Sequence, residues 1–469
     1  MTVRRLVFAT LLLLPAGLAA QQAPPEADRR MAREILAELV AINTTQDSGA
    51  TRAARALARR LTAAGFPARD VQLAGPRPRN QNLVVRLRGR GKAKPILFLA
   101  HLDVVEARRE DWSMEPFKLT EQDGYFYGRG TIDIKDEAAD LVTNLVRLRR
   151  ERYVPDRDII VALTDHEEGG DANGAAWLLA NRREWIDAAY VINLDAAGGQ
   201  MEHGRRLRNP VQTSEKIYAT YLLEVTGPGG HSSMPQPGNT IYTLARGLDR
   251  LAAYAFPVRL TETTRNFFDR LGGQIGGESG HDLQAIAAGR ADSAAIARVS
   301  ETPMYNSSMR NTCVATMLEA GVAENALPQR ARATVQCRLL PGESVAAILD
   351  TLARVVGDSA IHVTIKGDPA GALPEEAPES PLNPDVMSAV EAATHALWPD
   401  VIVLPVMDPW TTDGIRFRRA GVPVYGVSGV FIDIDEDRAH GRDERVLAEA
   451  FYQGVQFNYL LMKALTGAP

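Results

Sequence analysis

The sequence predicts an α/β fold in which helices flank a mixed, largely parallel sheet, with a smaller α+β domain inserted into it. Three observations predict this. Ile96–Ala100, Ile159–Leu163 and Tyr190–Leu194 are short, continuous apolar runs, as strands buried on both faces require. Helical patterns separate those runs, as they do in parallel sheets. From about Thr213 the order changes to strand, helix, hairpin, helix and strand, which reads as a separate small unit.

In chain order, Glu26–Ala41 and Arg52–Ala64 have helical apolar spacing, the second stopped by Gly65. Asp136–Arg149 places Leu141, Leu145 and Leu148 with Val142 and Val146 on one face, so it packs as a helix on the sheet. The inserted unit has a strand Ile217–Val225, a helix Asn239–Ala252, strands Asn311–Ala320 and Arg330–Leu339, a helix Val345–Val356 and a strand His362–Lys366. Ala370–Pro384, rich in Pro, Glu and Ala, reads as the return linker, and Val386–Leu397 resumes the first unit, which ends after Leu461. The expected division is therefore 26–213 with 371–469 for the main domain and 214–370 for the insertion. Residues 254–309 form a long stretch within it to which the sequence assigns no role, and Gly272–Gly277 reads there as a loop, without a phosphate-loop context.

Arg4 and Arg5 precede an apolar run from Leu6 to Leu18, followed by Ala19, Ala20 and polar Gln21–Gln22. This pattern is that of a secretory signal peptide over residues 1–20, which points to a periplasmic or secreted protein. The alternative is an uncleaved anchor, against which the run is short for a span. With 469 residues and 45% hydrophobic content the chain can bury the cores of two domains. The formal charge is −5, and removal of Arg4 and Arg5 with the leader takes it to about −7. No basic stripe or aromatic platform suggests nucleic acid, and no further stretch suggests stable membrane insertion.

The chemistry sits at strand ends. His101 and Asp103 follow the run Ile96–Ala100, the pair Glu167–Glu168 follows Ile159–Leu163, and Asp195 follows Tyr190–Leu194. Ligands in open α/β sheets bind beyond the carboxyl ends of strands, so three segments aim at one crevice. Asp133, in Gly128-Arg129-Gly130-Thr131-Ile132-Asp133-Ile134-Lys135, and His440, in Ala439-His440-Gly441-Arg442-Asp443-Glu444, complete a set of imidazole and carboxylate donors suited to a pair of metal ions. Asp103 is expected to hydrogen-bond the second nitrogen of His101. Taken singly, each residue has a plain structural explanation; their order along the chain carries the argument. His166 is expected to orient rather than ligate, and His203, His281, His362 and His395 to be loop, surface or packing residues.

In these segments the chain resembles the di-zinc exopeptidase family of glutamate carboxypeptidase, carboxypeptidase S, aminoacylase and succinyl-diaminopimelate desuccinylase. The likeness runs from about Glu34 to Val446 and is greatest to the carboxypeptidase S and N-acyl-amino-acid hydrolase branch. It implies two zinc ions, with cobalt or manganese as alternatives. His101 and Asp195 would hold one, Glu168 and His440 the other, and Asp133 would bridge them, with Glu167 as general base. The family usually has a second acidic residue after the bridging Asp and a cis peptide at that bond; Ile134 stands there in this chain, which leaves the cis bond open.

The same resemblance gives the insertion a function. Gly227-Pro228-Gly229-Gly230-His231-Ser232-Ser233 is similar to the family's lid turn, whose histidine reaches a neighbouring subunit's site. It implies a homodimer through the lid and His231 as an oxyanion stabiliser. Asn325-Ala326-Leu327-Pro328 and Arg338 match lid residues that bind a substrate carboxylate, a task that suits a planar guanidinium. Thr412-Asp413-Gly414 is similar to a supporting turn. Cys313 and Cys337 are equidistant from Asn325 at the hairpin's centre, so they either join as a disulfide or remain two buried thiols.

The implied reaction is metal-dependent hydrolysis of an amide in a small peptide or N-acyl-amino acid with a free carboxylate. A dipeptidase or aminopeptidase of the same fold is the alternative, with Asp171 or Asp413 as candidate ammonium partners. A non-catalytic binding protein is the third reading.

Overall fold

The computed structural model describes residues 23–196, 198–367, 374 and 376–467. The expected leader, and residues 370–373 and 375 of the expected linker, lie outside them. Among the described residues no helix is long and apolar enough to cross a membrane.

Among the described residues, ten strands form the main sheet. At its centre Ile96–His101 pairs in parallel with Ile159–Thr164 on one side and Tyr190–Asn193 on the other. Every residue of these strands is buried, which is why they read as unbroken apolar runs. Val424–Gly426 extends the parallel set beside Tyr190–Asn193; one flank is completed by antiparallel pairs, and the other by antiparallel pairs together with two further parallel ones, Ile402–Asp408 on Arg205–Glu215 and Phe431–Asp433 on Gly199–Glu202.

Alternate side chains leave the sheet on opposite faces. Phe98, Val161 and Ile192 meet Leu36, Leu145 and Val455 of helices Glu26–Ala41, Lys135–Arg150 and Ala448–Thr466. Leu97, Leu99 and Ile160 meet Leu178 and Phe417 on the other face. The helix Lys135–Arg150 buries the apolar stripe expected of it, but also Asp136, Glu137 and Asp140, acids that the stripe does not foretell.

A separate antiparallel sheet runs in the order Thr312–Ala320, Arg330–Leu339, Ile217–Thr226, His362–Lys366. Helices Thr240–Ala252 and Val345–Val356 cover one face with Leu244, Leu251, Ile348 and Leu352. Cys313 lies directly opposite Cys337, and the two are joined as a disulfide. The edge strand Thr312–Ala320 leaves Val314, Met317 and Leu318 exposed.

Between helix Thr240–Ala252 and that edge strand, residues 262–309 form four helices that turn back to the main sheet. Phe268, Leu271, Leu283, Val299 and Met309 form a small core with Leu404 of the strand Ile402–Asp408. The glycines 272–277 are not the expected loop. Gly272 and Gly273 belong to the helix Glu262–Ile275, and the break comes only at Gly276 and Gly277, both with positive φ. A Cβ on Gly272 would stand 2.6 Å from the Gly280 carbonyl oxygen, so glycine is there to let two helices touch backbone to backbone.

Candidate metal centre

The strand order places the expected donors side by side. His101 ends the central strand, Glu167 and Glu168 follow its neighbour Ile159–Thr164, and Asp195 follows its other neighbour, Tyr190–Asn193. Donor atoms of His101, Glu167 and Asp195 lie within 4.8 Å of one another, as do those of His101, Asp133 and Glu168. Asp133 faces a different histidine with each oxygen: Oδ1 is 3.2 Å from His101 Nε2 and Oδ2 is 3.0 Å from His440 Nε2. His440 Nε2 also stands 3.0 Å from Glu168 Oε1.

Asp103 acts differently from expectation. His101 Nδ1 bonds the main-chain oxygen of Asp103 at 2.9 Å, while the carboxylate stands off at 3.6 Å. The carboxylate oxygens are instead taken by the main-chain N–H groups of Glu167 and Glu168, at 3.1 and 3.0 Å. Two amide donors next to a buried carboxylate satisfy it better than one imidazole edge could. The tautomer of His101 is thus set by a carbonyl, and the glutamate pair by Asp103.

Asp133 is held from behind. The buried Glu444 accepts the main-chain N–H groups of Ile132 at 3.0 Å and Asp133 at 3.3 Å, and pairs with Arg129 at 2.5 Å. Arg129 in turn donates to the carbonyl of His440 at 3.3 Å, so one buried ion pair positions residues from both ends of the chain. The Asp133–Ile134 peptide is cis, which answers the question left open by Ile134. Lys135 buries its ammonium against the carbonyls of Leu39 and Ile42, both at 2.9 Å, at the end of the helix Glu26–Ala41.

The electrostatics fit a cation. Burial, then Asp195, raises the Glu167 carboxyl well above its ordinary range, and burial with Asp133 and Glu168 does the same for Asp195. His440 is raised to about 10 by its hydrogen bonds to Asp133 and Glu168. His101 is raised well above 6.5 although burial opposes it, because Asp133, Asp195 and Asp103 favour its charged form. Carboxylates this close keep their charge only beside compensating positive charge, and no lysine or arginine pairs with Glu167, Glu168 or Asp195 among the described residues. Imidazole nitrogens and carboxylate oxygens are the donors that borderline divalent ions take.

The remaining expected residues divide. His166, at φ +60°, turns from the centre, its Nε2 2.9 Å from Asn80 Nδ2. Asp413 accepts from Asn173 at 2.7 Å and Thr164 at 3.1 Å, so it braces the strand ends. Asp171 is committed to Arg77 at 2.8 and 2.6 Å. His231 and Asn325 come together: His231 pairs with Ala326, and the Ser232 N–H donates to the Asn325 carbonyl at 3.0 Å. Arg338 does not join them. It sits opposite Tyr218, whereas His231 follows Thr226 at the other end of the same strand, which spans about 27 Å from Tyr218 to Thr226 at the ordinary strand rise. Its half-buried guanidinium lies 4.6 Å over the Tyr218 ring, and no carboxylate pairs with it among the described residues.

Glu444, Arg129 and Asn193 are the supporting residues that the sequence reading missed. Glu444 and Arg129 stood within the two motifs, but nothing in linear order shows that residues so far apart meet. Asn193 bonds both the main-chain N–H and carbonyl of Asp195 and reaches Thr412 Oγ1 at 3.0 Å.

Residues 97–464 match the family model described as Peptidase family M20/M25/M40. The chain is similar to an N-fatty-acyl-amino acid synthase/hydrolase of Xenopus tropicalis, 29% identical over 79% of this chain and 72% of the relative. It is also similar to a probable carboxypeptidase S-like protein of Dictyostelium discoideum, 28% identical over 82% of this chain and 74% of the relative. Among solved structures, an M20 family metallo-carboxypeptidase from Sulfolobus solfataricus shares the fold, with a TM-score of 0.68 at 17% identity over 93% of this chain and 99% of the other. Human carnosine dipeptidase 1 shares it at a TM-score of 0.61 and 16% identity, over 94% of this chain and 99% of the other.

Proposed function

The chain belongs to peptidase family M20/M25/M40 and is a metallo-hydrolase of that family, and on that premise we propose that it cleaves the amide bond of an N-acyl-amino acid or small peptide to release a residue with a free carboxylate. The observation that carries the carboxylate reading is Arg338, a half-buried guanidinium with an aromatic face beneath it and no carboxylate paired with it among the described residues. The names of the relatives from Xenopus and Dictyostelium point the same way.

In this reading His101 and Asp195 would hold one metal ion and Glu168 and His440 the other, with Asp133 between them. Two divalent ions bound there, zinc by preference with cobalt or manganese accepted by the same donors, supply a polarised carbonyl and an acidified water. Glu167 takes the proton of the attacking water and returns it to the departing amine. Asp103 keeps both glutamates in place through their main chains. His231 donates to the oxyanion as it forms, where electrostatic help counts most.

Residues 26–213 and 371–469 make the catalytic unit and 214–370 the lid. Because Arg338 lies at the opposite end of its sheet from His231 and Asn325, the reading takes Arg338 from one copy and the other two from a second. The exposed edge strand Thr312–Ala320, with Val314, Met317 and Leu318 uncovered, supports such a homodimer through the lid. Export to the periplasm or medium is supported by the leader pattern and by the Cys313–Cys337 disulfide.

A dipeptidase is the second reading, because Asp433 and Asp437 line the pocket beside His440 and could meet an ammonium group. The deciding experiment is hydrolysis by the purified, zinc-loaded protein of N-acyl-amino acids and dipeptides with the terminal carboxylate free or amidated. Activity that needs the free carboxylate supports the proposal. Equal cleavage of amidated dipeptides, with acylated substrates refused, transfers it to the second reading, and bound metal without turnover leaves a binding protein.

A further inference from the structure

Beside the candidate metal residues lies a pocket of about 570 Å³. Its lining includes the polar Glu167, Glu168, Asp195 and His440. It also includes the large apolar residues Ile132, Ile134, Met304, Trp410, Ile432 and Ile434. Met304, Trp410 and Ile434 remain 42%, 43% and 47% exposed, which is unusual for large apolar side chains gathered in one concavity. Water must be displaced from them when the site fills, and an aliphatic group gains from displacing it.

Met304 alone among the lining residues comes from residues 214–370. It rides on the short helix Pro303–Met309, the last of the four helices whose core is shared with Leu404 of the main sheet. Lys216 ties that helix to the segment that carries Trp410. Its buried ammonium donates to the carbonyls of Ser307 at 2.8 Å and Arg310 at 2.7 Å. Its main-chain N–H donates to the Asp408 carbonyl at 2.9 Å, and its carbonyl accepts from Thr411 Oγ1 at 3.2 Å, on either side of Trp410.

We propose that the helical insertion 262–309 is a specificity element: Met304 and Trp410 form a wall against which an aliphatic arm of the substrate packs, with Lys216 as the residue that positions both. The inference rests on the amide-hydrolase reading above and deepens it. The arm has two sources, the acyl chain or the side chain of the amino acid, and the test separates them.

The experiment uses the full, zinc-loaded protein on two substrate series. One lengthens the acyl chain from acetyl to dodecanoyl on glycine, and the other lengthens the side chain from glycine through alanine and norvaline to norleucine under a fixed acetyl group. In one series kcat/KM is expected to rise about fourfold per methylene until the wall is covered. Met304→Ser is expected to lower the longest member of that series at least tenfold more than the shortest, through KM, and Met304→Leu to restore the rise. Lys216→Gln should raise KM for the long members more than it lowers kcat; an equal fall in kcat across the series would make Lys216 merely structural. Flat profiles in both series, or a Met304→Ser loss equal for every member, overturn the inference and leave amide hydrolysis standing. No turnover of any member or of any dipeptide overturns both.

Discussion

Asp103 holds Glu167 by its main chain rather than by its side chain: Oδ1 accepts the Glu167 N–H at 3.1 Å, while Oδ2 accepts the next N–H, that of Glu168, at 3.0 Å. One carboxylate thereby sets where a candidate base and a candidate ligand begin. Burial raises Asp103 itself to about 7, with Asp165 adding to the shift, so its partners must be good for it to stay charged. Asp103→Ala is expected to reduce kcat about 10–100-fold with the protein still folded. Activity, metal per chain and melting temperature measured on one preparation check this.

Glu167→Gln keeps the size and most of the hydrogen bonding of the side chain but cannot accept a proton. The expected loss is about 10²–10⁴-fold in kcat. Metal content measured by mass spectrometry should stay at the wild-type value. Retained turnover would remove Glu167 from the role of base.

If Arg338 and His231 serve one site from two chains, inactive variants should rescue each other. A mixture of His231→Ala and Arg338→Ala, unfolded together or coexpressed, makes mixed dimers in which one of two sites has both residues. Recovery of about a quarter of wild-type activity is expected from random pairing. A mixture as inactive as its components would place both residues on one chain or outside the site.

Glu444 and Arg129 form a fully buried ion pair, and Glu444 also accepts two main-chain N–H groups beside Asp133. Glu444→Ala leaves the guanidinium buried without its anion. A loss of about 3–5 kcal/mol in unfolding free energy is expected, together with weaker metal retention. Denaturant titration of metal-free and metal-loaded samples separates the two effects.

Lys216 is lowered to about 7 by burial, with the charge of Arg338 adding to it. The unfolded chain therefore binds more protons than the folded one between that value and the ordinary lysine range, and stability must rise with pH across the interval. Against Lys216→Met, the wild type should gain up to about 1.4 kcal/mol per pH unit from about pH 7 to about pH 10. Melting curves of the two proteins, taken across that range, give the difference directly; a flat or falling difference contradicts it.

The apolar strands and the residues at their ends were legible because each depends on local order. A strand buried on both faces must be apolar throughout, as Ile96–Ala100 is, and a ligand at its carboxyl end must be the next residue. His101, Glu167, Glu168 and Asp195 follow from that rule. The helix Asp136–Arg149 was legible for its leucines, yet the same periodicity hid Asp136, Glu137 and Asp140, whose burial no hydrophobic pattern announces. Asp103 shows the limit most sharply. His-x-Asp spacing suggests a contact between side chains, whereas the position of a loop from another strand decides which donors arrive first.

By itself, then, the chain's order of residues determined the class of fold, the family and the donors gathered at three adjacent strands, since periodicity and strand ends are properties of short segments. Tertiary structure alone decided that Glu444 backs Asp133, that Arg338 parts company with His231 and Asn325, and that residues 262–309 return to the main sheet and bring Met304 to the pocket. Those facts depend on pairings between segments tens to hundreds of residues apart, selected by which faces can be buried together, and no local pattern encodes them.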